Sequence, residues 1–466
     1  MAQPGIPTRI VILGAGFGGV YTARHLQRIF RKNPSVYITL VDKDNYFLMT
    51  PLLFEAGSGV LEPRHAVTPI RTLLDKAQFV EADIDSIDLD ARVVHARHHP
   101  ASKTYALQYD HLVLALGGVT NTKLIPGSEH ALTFKTLADA IFLRNHIIDL
   151  FEQADVEADP ARKRRLLRFV IIGAGLVGTE LIGELTEFTK NLTRTYKQID
   201  PSELEFHLLE AGPKIMPEME PELAEYVRGV FEKRGVKISV NTAARRIEPG
   251  KVQLPADGNG SGAGERVLES HTILLVAGVT PNPTITTLPL EKDKKGRVIV
   301  EATMRSKARP EVWGIGDCAH IPDPEGKPYP SLAQHALREA RVLARNIETA
   351  IRRPDAPLEP FVYKTLGMLA SLGHYKGVGR VFKVRIRGFL AWWVWRTYYL
   401  MQMPRWNRRF RIMLDWTVAL LFRNDVAKLD LFGAKHPAAA MTESARGELA
   451  EEDRARGELR TSDVQH

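Results

Sequence analysis

Two glycine-rich turns constrain this chain more than any other feature. One reads Gly14-Ala15-Gly16-Phe17-Gly18-Gly19 and the other Gly173-Ala174-Gly175-Leu176-Val177-Gly178. Each fits G-x-G-x-x-G, each follows an apolar run (residues 9–13 and 169–172), and each opens a helix-like segment. Gly14, Gly16 and Gly19, and likewise Gly173, Gly175 and Gly178, suit a tight turn, backbone approach to a pyrophosphate and close helix–strand packing. The pyrophosphate then sits at the positive end of the helix. A single such turn is weak evidence, because strand–Gly turn–helix units are common. Two in this context indicate one chain holding two dinucleotides, which points to a flavin enzyme fed by a nicotinamide.

The strands that follow support this. Residues 37–41 end at Asp42, and residues 205–209 end at Glu210. A carboxylate at that place meets the ribose hydroxyls. At Glu210 it would accept a hydrogen bond from the adenosine 2′-hydroxyl and repel a 2′-phosphate, so NADH is favoured over NADPH, with Lys214 near enough to soften the repulsion. Each unit also contains an apolar run ending in glycine, residues 112–118 with Gly117 and residues 272–278 with Gly278, suited to backbone passing beside a cofactor.

At 466 residues the chain exceeds one ordinary domain. The expected fold is α/β, with two Rossmann-like dinucleotide-binding domains and a C-terminal amphipathic helical region. A discontinuous FAD domain takes 8–135 and 290–355, an inserted NADH domain 166–285, and the C-terminal region 360–433. Residues 434–466 read as a polar tail, in which Ala-Arg-Gly-Glu-Leu occurs twice. Helices are expected over 136–151 and 331–351. Residues 152–166 are charged, contain Pro160 and read as a linker, and 257–264 read as a Gly-rich surface loop.

The net charge of +8 gathers in one place. Over residues 380–423 the bases run from Arg380 to Arg423 and the only acid is Asp415. Of the six tryptophans, Trp392, Trp393, Trp395 and Trp406 lie within residues 392–406, and Trp416 follows. Nucleic-acid binding is not favoured, since no nucleic-acid motif accompanies this stretch. No apolar run of 18 residues is present, so no helix is expected to cross a bilayer, and no targeting segment is read before the first strand. Residues 386–422 suit a membrane surface instead: aromatic side chains favour the interface and arginines pair with anionic headgroups. The alternative is a core or dimer helix pair with a solvated basic face. No metal-ligand spacing is found. The single cysteine, Cys318, excludes a disulfide within the chain, fits a reducing compartment and reads as a small packed residue.

Taken with the segment Asn45-Tyr46-Phe47-Leu48-Met49-Thr50-Pro51-Leu52-Leu53, the stretch Gly316-Asp317-Cys318-Ala319 and the Ala333-Gln334 helix start, the paired turns resemble the two-dinucleotide-binding-domain flavoproteins. Within that group the chain is most similar to the type II NADH:quinone oxidoreductases. The resemblance implies FAD on the first turn and NADH on the second. It places Asp42 at the FAD ribose and Thr50 and Pro51 by the isoalloxazine. Gly316 and Asp317 fall at the ribityl and phosphate portion, and Ala333 and Gln334 at the pyrimidine end beside a quinone pocket. Many members carry a second glutamine four residues after the first; here Arg338 stands there.

The implied enzyme is peripheral, on the cytoplasmic face of the inner (cytoplasmic) membrane. It passes a hydride from NADH to FAD and then two electrons to ubiquinone or menaquinone, without pumping protons. The same C-terminal region can carry a homodimer contact. One cysteine excludes the paired-thiol mechanism that several flavoprotein reductases use. Glu180 and Glu184, spaced i, i+4, share a helix face. They either cap and solvate the helix start, or Glu180 lies near the nicotinamide–flavin contact, where it orients the carboxamide or relays a proton. His335 reads as a packed histidine or a proton donor. Two other readings need the same motifs: a related reductase with a protein or other small-molecule acceptor, and a redox-sensing flavoprotein.

Overall fold

In this computed structural model, residues 7–98, 103–256, 265–365, 367–373, 375–422 and 426–428 are described. The loop at 257–264 and the tail at 434–466 lie outside them. The described residues fall into two compact units, one drawn from those within 7–48, 67–119 and 279–365, the other from those within 49–66, 120–278 and 367–428.

The first unit is built on a five-stranded sheet in the order Val312–Gly314, His111–Leu114, Thr8–Leu13, Val36–Asp42, Gln78–Glu81. Every neighbouring pair is parallel. Such a sheet is covered on both faces, which is why residues 10–13 and 112–114 read as unbroken apolar runs and are buried. Helix Phe17–Ile29 springs from the first glycine turn and packs against helix Ala333–Arg352. A three-stranded antiparallel sheet, Asp83–Asp88, Val93–His98 and Lys103–Gln108, is appended.

The second unit repeats the plan. Its parallel sheet runs Val236–Ser239, Glu205–Leu209, Arg168–Ile172, Thr272–Leu275, and helix Leu176–Leu192 follows the second glycine turn. A small antiparallel sheet, Gly367–Ser371, Gly377–Val381 and Val384–Gly388, leads into helices Phe389–Gln402 and Trp406–Leu421. No helix of the described residues is long and apolar enough to cross a membrane.

The linker reading of 152–166 is corrected. Helix Leu137–Val156 runs on through the charged residues, and Pro160–Leu166 is itself helical. Proline at the first helical position starts a helix rather than breaking one. Asp159 supplies the cap, accepting from the backbone N–H of Ala161 and Arg162 at 3.1 and 3.2 Å.

Candidate functional site

The first unit gathers its cradle at the carboxyl ends of the sheet strands. Gly14 has φ of +98°, and a Cβ there would come within 2.4 Å of the Ala115 carbonyl oxygen; a Cβ on Gly19 would lie 1.8 Å from the Gly14 oxygen. Only glycine satisfies both approaches. A Cβ on Gly16 or Gly117, by contrast, meets no protein atom within 4 Å. That is the room a pyrophosphate and ribityl chain need when they run along bare backbone, so these residues fit FAD. Asp42 stands beside the turn and accepts from the backbone N–H of Ala15 and Asp44, while burial pushes its carboxyl up. Gly316, at φ +71°, begins a short 3₁₀ turn with Asp317, and its N–H donates to Glu339 Oε2 at 2.9 Å.

Helix Ala333–Arg352 starts in the same unit. Tyr363 donates to Gln334 Oε1 at 3.2 Å. Arg338 donates to the Gln334 carbonyl at 2.8 Å and lies 4.4 Å from the Tyr363 ring centroid. Arg338 thus reaches back to the backbone of the residue four positions earlier. His335 is 1% exposed, flanked by the Tyr329 and Tyr363 rings. Burial pushes its imidazole down to about 4, so it is neutral at physiological pH, which supports the packed reading over the proton donor. Cys318 is packed as expected: it is buried, and burial pushes its thiol up to about 12.

The second unit repeats the glycine geometry. Gly173 has φ of +109°, and a Cβ on Gly178 would lie 1.9 Å from the Gly173 oxygen. Gly175 precedes the helix as its N-cap, and Gly278, at φ +71°, lies just after strand Thr272–Leu275. Glu210 accepts from the backbone N–H of Ala174 and of Gly212, both at 2.8 Å, which places its carboxylate beside the turn. Thr50 and Pro51 open a 3₁₀ turn of this unit, continued by the buried helix Leu53–Gly57.

The carboxylates of helix Leu176–Leu192 depart most from the capping alternative. Neither is solvated: Glu180 is 8% and Glu184 6% exposed. A Cβ on Gly183, between them, would lie 2.7 Å from the Leu372 backbone, so glycine lets the small C-terminal sheet close onto this helix. Glu180 Oε1 then accepts from the Ser371 N–H at 3.0 Å and the Trp395 indole N–H at 3.1 Å. Burial outweighs these two bonds and pushes its carboxyl up to about 8. Glu184 is likewise raised, by burial and by the nearby Glu55 charge.

Glu55 and Arg396 were not singled out in the sequence. Glu55 is 1% exposed. Arg396 donates to Glu55 Oε1 at 2.9 and 2.8 Å, and Trp416 Nε1 to Oε2 at 2.6 Å. The guanidinium lies 4.2 Å from the Trp392 ring centroid and 4.7 Å from that of Trp416. The available signal was one acid inside the apolar run Leu52-Leu53-Phe54-Glu55-Ala56.

Residues 8–340 match the pyridine nucleotide-disulphide oxidoreductase family, and residues 365–425 the NDH2 C-terminal domain. The chain is 30% identical over 431 residues to the type II NADH:quinone oxidoreductase NdhA of Mycobacterium tuberculosis, covering 89% of this chain and 87% of that one. It is 30% identical over 384 residues to the type II NADH:quinone oxidoreductase of Staphylococcus aureus, covering 82% and 91%. The solved NDH2 from Plasmodium falciparum in complex with NADH has the same fold, with a TM-score of 0.83 at 19% identity, over 90% of this chain and 100% of that one.

Proposed function

Because the chain belongs to the type II NADH:quinone oxidoreductases, we infer that Glu180 and Gln334 act at its reacting centre and that its C-terminal helices seat it on a membrane. The protein is an FAD-dependent, non-proton-pumping NADH dehydrogenase that uses a quinone. Bound FAD supplies the hydride-accepting and electron-donating chemistry.

The chain's own residues position, shield and protonate. The residues assigned to FAD are Gly14, Gly16, Gly19, Asp42, Thr50, Pro51, Gly117, Gly316, Asp317 and Ala333. Gly173, Gly175, Gly178, Glu210 and Gly278 line the NADH site. The observation that carries the catalytic assignment is Glu180. It is buried, fixed by two donors and holds a proton near neutral pH, which suits a group that orients a carboxamide or relays a proton to an acceptor. Gln334, braced by Tyr363 and Arg338, presents a fixed amide to the quinone.

Quinone dissolves in the bilayer, so the enzyme must reach it. On the helices after Gly388, Trp393, Trp406 and Phe410 are more than half exposed, and Arg405, Arg408 and Arg411 stand among them. Exposed apolar side chains mixed with arginine suit an anionic lipid surface, here the cytoplasmic face of the inner membrane, the side that holds NADH. The same helices can also face a second copy of the chain. The acceptor is ubiquinone or menaquinone.

Under anaerobic conditions, NADH is expected to bleach the bound flavin's absorbance and a quinone analogue to restore it quickly. A flavin that stays reduced with quinone present would turn the assignment to a protein acceptor or a redox sensor. Glu210→Ala is expected to narrow the NADH:NADPH ratio of kcat/KM by about tenfold, the order expected for a hydrogen bond to a charged group. An unchanged ratio removes Glu210 from the ribose site.

A further inference from the structure

Reduction of a quinone to a quinol takes two electrons and two protons. The hydride of NADH supplies both electrons and one proton, so the second proton comes from water. On the reading above, Glu180 serves the reacting centre, yet it is 8% exposed and its Oε1 is held by Ser371 and Trp395. It needs a source.

We propose that Glu184 is the proton inlet: water in the cavity beside helix Leu176–Leu192 protonates Glu184, and Glu184 resupplies Glu180 one helical turn away. This rests on the placement of Glu180 at the reacting centre. The cavity, about 330 Å³, is lined by Ser58, Glu184, Glu187, Arg194, Trp392 and Leu421 among others. Its rim is open on the side of Arg194, which is exposed, whereas Glu184 at its inner wall is 6% exposed. A space of that size with polar groups in its wall has room for water.

The partners of Glu184 suit a group that changes state. Ser58 Oγ lies 3.3 Å from Oε2 and Ser371 Oγ 3.4 Å from Oε1. A hydroxyl donates to a carboxylate and accepts from a carboxylic acid by rotating, so neither state of Glu184 is left without a partner. Ser371 also joins the two carboxylates, since its N–H is the donor to Glu180. Glu55 differs: Arg396 donates to Oε1 and Trp416 to Oε2, so both of its oxygens are already held. Among the described residues no cation is ion-paired with Glu184.

The groups around Glu184 set its proton affinity in opposite directions. Glu180 and Glu187 stand on its own helix, Glu55 on the short helix Leu53–Gly57, Arg396 on helix Phe389–Gln402, and Arg234 beyond Gly183. Burial and the Glu55 charge raise it, and Arg396 lowers it. The balance is one proton per NADH. Glu180 gives a proton to the quinone oxygen, Glu184 gives one to Glu180, and cavity water restores Glu184. No electron passes through either carboxylate.

The test uses the full-length, flavin-loaded enzyme. Glu184→Gln is expected to slow flavin reoxidation by quinone at least tenfold, with the loss partly restored by a small diffusible buffer such as imidazole. Ala419→Trp, which narrows the cavity without touching a carboxylate, is expected to slow the same step and raise its solvent deuterium isotope effect. In the infrared, Glu184→Gln is expected to remove a buried carboxyl band that titrates in the neutral range. Reoxidation at the parent rate in both variants, while Glu180→Gln is slow, would overturn the inlet and leave the Glu180 reading standing. Parent-rate reoxidation in Glu180→Gln would overturn that reading and the inlet with it.

Discussion

Glu180→Gln is expected to lower quinone-dependent turnover by about 100-fold or more, within the range that a general acid–base group supplies. The amide oxygen still accepts from Ser371 and Trp395, so the helix and sheet stay together and only the exchangeable proton is lost. In the parent enzyme the carboxyl is pushed up to about 8. The group is therefore protonated at neutral pH, and turnover should fall as pH rises through about 8. The variant should lose that inflection; a variant that keeps both the rate and the inflection would remove Glu180 from the chemistry. Stability responds to the same shift. Between the ordinary carboxyl range and about 8 the folded chain binds a proton that the unfolded chain has released, so stability declines as pH rises through this window. The decline is at most about 1.4 kcal/mol per pH unit for the group. Denaturant titrations at about pH 5 and pH 8 should differ less in Glu180→Gln than in the parent.

Glu55→Ala is expected to cost about 3–5 kcal/mol, the range for removing one partner of a buried ion pair. The cost falls on what remains. The Arg396 side chain, 12% exposed, would keep its charge with its carboxylate gone, and the Trp416 indole N–H would lose its acceptor. Because these donors sit on the two C-terminal helices, proteolysis within 389–421 should accelerate along with the fall in denaturation midpoint. Replacing Glu55 and Arg396 together by apolar side chains of similar size should recover much of the loss. A single-variant cost below about 1 kcal/mol would mean that the guanidinium finds another acceptor.

The parts of this molecule legible in the sequence are those fixed by local geometry. Gly14 and Gly173 need positive φ, Gly19 and Gly178 need the absence of a side chain, and Asp42 and Glu210 end the strands that follow; all show in short stretches of chain. The C-terminal region was legible only as composition. Its aromatic residues divide in a way that order along the chain does not reveal: Trp392, Trp395 and Trp416 are buried against carboxylates and a guanidinium, whereas Trp393 and Trp406 face outward. The Glu55–Arg396 pair joins residues 341 positions apart. A lone acid in an apolar run and a lone arginine among aromatics acquire meaning only when the fold brings them together. Glu184 escaped for a related reason, since i, i+4 spacing assigns two carboxylates to one face but does not say whether that face meets water or protein.

The seating of Cys318 has a chemical consequence for an enzyme of this kind. Quinones are electrophiles that arylate thiolates by conjugate addition, and an enzyme that admits them turnover after turnover is exposed to its own substrate. The chain's only cysteine has 1% of its surface accessible, and burial raises its thiol to about 12. Sγ donates toward the Leu114 and Ile315 carbonyl oxygens. Held as a thiol rather than a thiolate, it lacks the nucleophile that such an adduct requires. The protein can thus meet a reactive electrophile continually without offering it a thiolate to arylate.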